Sequence, residues 1–105
     1  MFCLVVRFDC TDDAAAHEFD GLVSDLLPQI EAKEPGTVVY ATNTVQDEPL
    51  ARVFFEAYRD RDAFQVHERA EHVVRFHAAK APYLAGQRVE FLTPGPTKGV
   101  GVTDG

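Results

Sequence analysis

A chain of 105 residues is the size of one ordinary domain and long enough to bury a core. Apolar residues make up 46% and charged residues 26%, the usual globular balance, which excludes a disordered or fibrous body. The formal charge of −7 and a pI near 4.9, with no cluster of Lys or Arg, exclude nucleic acid and anionic membrane surfaces as partners.

The first element is a strand over Phe2 to Asp9. Phe2, Leu4, Val6 and Phe8 alternate against Cys3, Val5 and Arg7 at strand period, so both faces are largely apolar. The run Phe2 to Val6 is too short for a membrane span and has no basic leader, so it does not read as a signal peptide and a cytoplasmic location is expected. Cys3 and Cys10 stand about 23 Å apart along an extended chain, beyond disulfide reach, and read as free thiols.

Thr11-Asp12-Asp13 supplies an N-cap, and Phe19, Leu22, Val23, Leu26, Leu27 and Ile30 recur at helical spacing. Pro28 within that stretch predicts a kink or an early end near Leu27. Glu34-Pro35-Gly36 is a turn by composition, followed by a second strand over Thr37 to Thr42, a polar loop over Val45 to Pro49 and a third strand over Ala51 to Tyr58. Strands two and three form a hairpin. The third puts Val53, Phe55 and Ala57 on one face, with Phe54, Glu56 and Tyr58 on the other.

Asp60 caps a second helix that runs to about Ala81, bent at Glu68-Arg69-Ala70-Glu71 and ended by Pro82. Gln87 to Thr93 is the fourth strand, and residues 94–105 read as a flexible tail after a single domain over residues 1–93. Two helices joined by crossovers to four strands give an α+β, ferredoxin-like βαββαβ domain. Two helices cover one sheet face, and the remaining Val, Leu and Phe side chains predict a sheet-to-sheet homodimer.

Three segments carry a resemblance: Glu34-Pro35-Gly36-Thr37-Val38-Val39-Tyr40, then Phe55 to Phe64, then His67-x4-His72-x3-Phe76. Together they resemble the antibiotic biosynthesis monooxygenase family. The resemblance implies a dimeric α+β barrel that oxygenates small phenolic, quinol, anthrone or polyketide-like substrates with O2, using no metal, haem or flavin. The same family holds isomerases of small signalling molecules and haem-degrading enzymes, which imply two alternatives: an isomerase or ligand-binding protein, and a haem-handling protein. Tyr58 stands where many members carry Trp. His77 falls near the proximal histidine of the haem-degrading branch, but Arg7 and His67 replace that branch's Asn and Trp.

An oxygenase without a cofactor needs a base and a dry pocket, since the deprotonated substrate itself reduces oxygen. His67 and His72 are the candidate bases, because histidine titrates near neutrality. Either could equally be a satisfied helix residue. Arg7 interrupts an apolar strand, so it either emerges at an edge or enters the interior, where it would hold a substrate anion or pair with Glu56. Tyr40 and Tyr58 are candidate donors to a substrate carbonyl, Phe54, Phe64 and Phe76 candidate walls, and His77 a further candidate contact. His67, His72 and His77 follow at five-residue spacing, about 140° apart on a helix, which is wrong for a zinc site. No metal and no cofactor is expected.

Overall fold

The computed structural model describes residues 1–99. The chain runs β1 (Phe2–Cys10), α1 (Asp13–Lys33), β2 (Thr37–Val45), β3 (Glu48–Tyr58), α2 (Arg61–Arg69), α3 (Glu71–Lys80), a 3-10 turn over Ala81–Tyr83, and β4 (Leu84–Leu92). The four strands form one antiparallel sheet in the order β2-β3-β1-β4, the ferredoxin-like α+β arrangement. Of the expected tail, 94–99 hold neither helix nor strand, and 100–105 lie outside the described residues.

Side-chain alternation sets the two sheet faces. Leu4, Val6, Phe8 and Phe54 point at the helices and meet Phe19, Leu26, Ile30, Val73 and Phe76 in one core. Ring contacts knit it: Phe8 lies 5.0 Å from Phe19 and 4.8 Å from Phe54 between centroids. Arg52, also on the helix side, pairs its guanidinium with Asp20 of α1 at 2.8 Å, tying α1 to β3. On the other face Val5, Val53 and Phe55 stay partly exposed. Cys3 and Cys10 are free and buried.

Four element boundaries differ from expectation. α1 is continuous through Pro28, which stands exposed rather than in the buried stripe. The Ser24 carbonyl it leaves without a helical partner belongs to another exposed residue, so water can satisfy it. The expected polar loop is mostly strand: a two-residue turn at Gln46 and Asp47 joins β2 to β3, with Asp47 at φ 64°. The second helix is two helices, broken where Ala70 turns extended (φ −62°, ψ 137°). β4 starts at Leu84 because the 3-10 turn holding Pro82 ends there.

The break at Ala70 and the turn after α1 place the polar interior. Gly36 has no alternative side chain, since a Cβ there would come within 2.6 Å of the Ala63 Cβ in α2. The turn is fastened by Arg59 N–H donating to the Gly36 carbonyl at 2.9 Å. Glu34 is thereby held directly under α2 and α3.

Candidate active site

Glu34 caps α1 and is buried. Its carboxylate accepts three hydrogen bonds, from His67 Nδ1 at 2.7 Å, His72 Nε2 at 2.5 Å and Thr37 Oγ1 at 2.7 Å. Burial alone would raise its pKa, but the hydrogen bonds from His67, Thr37 and His72, with the charge of His67, outweigh that and hold the carboxyl below its ordinary range. An ionised carboxylate only accepts, so His67 carries its hydrogen on Nδ1 and His72 on Nε2.

The other ring nitrogen of His67, Nε2, lies 3.9 Å from Glu56 Oε1. Glu56 is buried and accepts from the Tyr58 hydroxyl at 2.5 Å. Burial pushes the Glu56 carboxyl up, against the opposing pull of the Tyr58 hydrogen bond and of His67. Burial and the neighbouring Glu56 also push the Tyr58 hydroxyl far above its ordinary range. Tyr58 is thus a fixed donor, not an acid.

Between the sheet and α2/α3 lies a cavity of about 130 Å³, bounded by Leu4, Val6, Phe8, Val89 and Phe91 on the strands and Phe64 and Phe76 on the helices. Its polar edge is Tyr40, Glu56, His67, Glu68, His77 and Gln87. A cavity of roughly 150 Å³ is enough for benzene, so this one is the size of a single ring. Phe91, 63% exposed, stands at its mouth within 5.9 Å of the Phe64 ring.

Of the expected site residues, Tyr40, Phe64, His67, Phe76 and His77 meet at this cavity. Four do not. His72 hangs from Glu34 but lines a separate groove between α1 and α3 with Leu22, Asp25 and Arg75. Phe54 is core. Tyr58 is wholly buried behind Glu56, with its ring 5.1 Å from that of His67. Arg7 emerges on the opposite sheet face and pairs with Asp9 at 3.1 Å and Glu48 at 3.0 Å, not with Glu56. Alternation decides this, since Val6 and Phe8 on either side of it take the inward positions.

Sequence reasoning missed Glu34 and Glu68 as site residues, and named Glu56 only as one possible partner of Arg7. Glu34 sits in a turn motif that reads as punctuation, and its burial arises only when α2 folds over it. A third missed residue is Lys80, buried at the end of α3 with its Nζ 2.7 Å from His77 Nδ1. Among the described residues no group of three or more His, Cys, Asp or Glu is arranged to hold a metal ion. Nor is any described helix long and apolar enough to cross a membrane.

Comparison with known proteins gives a consistent picture. The sequence profile described as antibiotic biosynthesis monooxygenase matches residues 1–79. A solved structure from Caulobacter crescentus CB15, named as a candidate antibiotic biosynthesis monooxygenase, superposes with a TM-score of 0.84 at 27% identity over 90% of both chains. Rv0793 from Mycobacterium tuberculosis superposes with a TM-score of 0.84 at 22% identity, over 93% of this chain and 98% of that one. A third, from Nitrosomonas europaea and named as the first is, gives 0.81 at 20% identity over 90% and 98%. The last two share the fold. No curated protein matches this chain.

Proposed function

This chain belongs to the antibiotic biosynthesis monooxygenase family, and on that premise we propose that it oxygenates a small aromatic substrate with O2, His67 acting as the base. The observation that supports this most is a histidine fixed at Nδ1 by a buried carboxylate, its ring lining an apolar, ring-sized cavity.

The balanced reaction converts a phenol ring C–H into a carbonyl. One oxygen atom enters the product and the other leaves as water, whose two hydrogens come from the phenol O–H and the ring C–H. His67 Nε2 takes the hydroxyl proton, and the electron-rich anion passes one electron to O2. The resulting radical pair combines into a carbon-bound peroxide, which takes the proton back from His67. Removal of the ring C–H proton then breaks the O–O bond and releases hydroxide, which is protonated to water. The substrate supplies every electron, so the protein's part is proton transfer, orientation and exclusion of water.

Tyr40, whose hydroxyl is held neutral by burial beside Glu56 and Glu34, donates to the substrate oxygen. The test is oxygen consumption by metal-free, flavin-free protein against a panel of phenols, quinols and anthrones. Turnover that requires His67 supports the reading, and turnover only with an added flavin or metal overturns it.

One observation favours a second reading. Glu56, held protonated further up the pH scale by burial and lying 3.9 Å from His67, forms with it an acid–base pair able to move a proton between two substrate atoms. That is the chemistry of an isomerase, and it would proceed without oxygen. A haem-handling role is disfavoured, since 130 Å³ is far below the roughly 300–1,000 Å³ of sites for larger ligands.

The assembly we propose is a homodimer through the open sheet face around Val5, Val53 and Phe55. Ion pairs Arg7–Glu48 and Arg88–Glu90 lie on the same face, with Arg7 in register between Val53 and Arg88. Sedimentation at micromolar concentration should give twice 11.6 kDa. Val53→Asp or Phe55→Asp should yield monomer or unfolded chain, because the contact would bury an added carboxylate on each chain.

A further inference from the structure

The mechanism above leaves one wall of the cavity unused. Lys80 is 5% exposed, yet among the described residues no carboxylate lies within ion-pair distance of it. Its Nζ touches His77 Nδ1 at 2.7 Å and stands 5.9 and 5.6 Å from the ring centres of Phe8 and Phe76, both of which line the cavity. Burial pulls its pKa down while Glu68 pulls it up. Leu or Met would fill that space without the cost of burying an amine, so packing alone does not account for lysine.

When Lys80 is the ammonium it only donates, so His77 Nδ1 accepts from it and the ring hydrogen is on Nε2. That Nε2 lies 3.1 Å from Glu68 Oε2. The His77 hydrogen bond, against the effect of burial, holds the Glu68 carboxyl below its ordinary range, so it is an ionised acceptor. As neutral rings, the two cavity histidines would then be held in opposite tautomers by partners of opposite charge. His67, on a carboxylate, shows the cavity a lone pair. His77, on an ammonium, carries an N–H.

We propose that His77 is the hydrogen-bond donor to a second oxygen of the substrate, and that Lys80 is the positioning residue that keeps His77 in the Nε2–H tautomer. The ligand is then a single ring bearing a hydroxyl, which meets His67, and a carbonyl or comparable oxygen acceptor, which meets His77. When His67 removes the hydroxyl proton, charge delocalised through the ring reaches the acceptor oxygen, where the His77 N–H stabilises it. Glu68, with 44% of its side chain exposed at the rim, holds the donor until the ligand displaces it. The role given to His67 rests on the proposed function, but the tautomers and the binding preference do not need turnover to be measured.

The experiment has two arms on the full chain. Nitrogen-15 NMR of the imidazole rings near pH 8 should show His67 as the Nδ1–H tautomer and His77 as Nε2–H. Lys80→Met should move His77 toward a mixture and leave His67 unchanged. In the second arm, 4-hydroxyacetophenone should bind about tenfold tighter than phenol, an advantage absent in His77→Phe and kept in His17→Phe. Because Lys80 is buried and its variant could misfold, the wild-type tautomers and the ligand pair carry the decision without it. His77 found as Nδ1–H, an unchanged His77 tautomer in a folded Lys80→Met protein, or equal affinity for the two ligands overturns the proposal. A protein that passes both arms but never consumes oxygen would sink the oxygenase reading and leave this one standing.

Discussion

His67 and His72 hang from the two oxygens of one carboxylate, are both buried, and come from helices separated by a single residue, yet only His67 reaches the cavity. The difference is which ring nitrogen Glu34 takes. Bound through Nδ1, His67 has its far nitrogen near Glu56 and the cavity edge. His72, bound through Nε2, has its remaining edge in the groove beside α1. A hydrogen-bonded, buried histidine therefore need not face the cavity.

The largest expected effect breaks this pair apart. His67→Ala should lower turnover on an active substrate by at least about a hundredfold, the usual contribution of a positioned base, with the fold intact. His72→Ala should leave kcat near wild type and instead cost about 1–3 kcal/mol of stability, because Glu34 loses one donor. Equal rate losses in the two variants would show that the cavity does not separate them.

Next in size is the carboxylate they share. Glu34→Gln keeps the shape but can accept through one oxygen only, so one histidine must turn or release its bond, and turnover should fall by about tenfold. Its effect on pH dependence has a definite sign. The folded Glu34 carboxyl lies below its ordinary value of 4.5, so its stabilisation is present above about pH 4.5 and is lost as pH falls through the lower folded value. Glu56 has the opposite shift: its contribution is present below 4.5 and lost as pH rises through the higher folded value. Urea titrations from pH 3 to 7 should accordingly show a shallower acid limb in Glu34→Gln and a shallower loss on the rising side in Glu56→Gln. Matching curves for the two variants would contradict the opposed environments.

Smaller still is the effect of the backbone that carries Glu34. Gly36→Ala must push its new methyl against Ala63, which shifts α2 and with it the spacing of His67 and Glu34. Crowding of this kind costs about 1–3 kcal/mol. The drop should appear as a lower melting temperature together with a modest fall in kcat, whereas Gly21→Ala, inside α1 with nothing within 4 Å of the new methyl, should raise the melting temperature slightly and leave kcat unchanged.

What the sequence made legible follows the same division. Period-two alternation identified β1 and β3 and separated Val53 and Phe55 from Phe54, Glu56 and Tyr58, because strand faces are a local property. The His-x4-His segment gave His67, since chemistry and helix position are both local there. Glu34 and Lys80 were not legible. Each acquires its role from a partner more than thirty residues away or from rings on another layer, and a single Glu beside Pro-Gly looks like any turn. The break at Ala70 escaped for a related reason: the sequence announced a bend, but whether a bend becomes a gap depends on how α3 packs against α1.

Arg7 is the smallest effect and the cleanest check of the sheet's two faces. A lone arginine in an apolar strand looks like an interior anion site, and pocket placement would make Arg7→Ala raise KM strongly. Its guanidinium instead lies across the outer face, bonded to Glu48 and Asp9, contacts that raise its already high pKa and leave it fully charged. Val6 and Phe8 occupy the two cavity positions beside it, and no rotamer of residue 7 passes through the sheet between them. Arg7→Ala should therefore leave KM and kcat unchanged. Its signature should be confined to assembly, as a salt-sensitive change in the dimer dissociation constant, since Arg7 lies beside Val53 in the proposed contact. A raised KM with unaltered sedimentation would show that substrate reaches the outer face and that the cavity on the helix side is not the site.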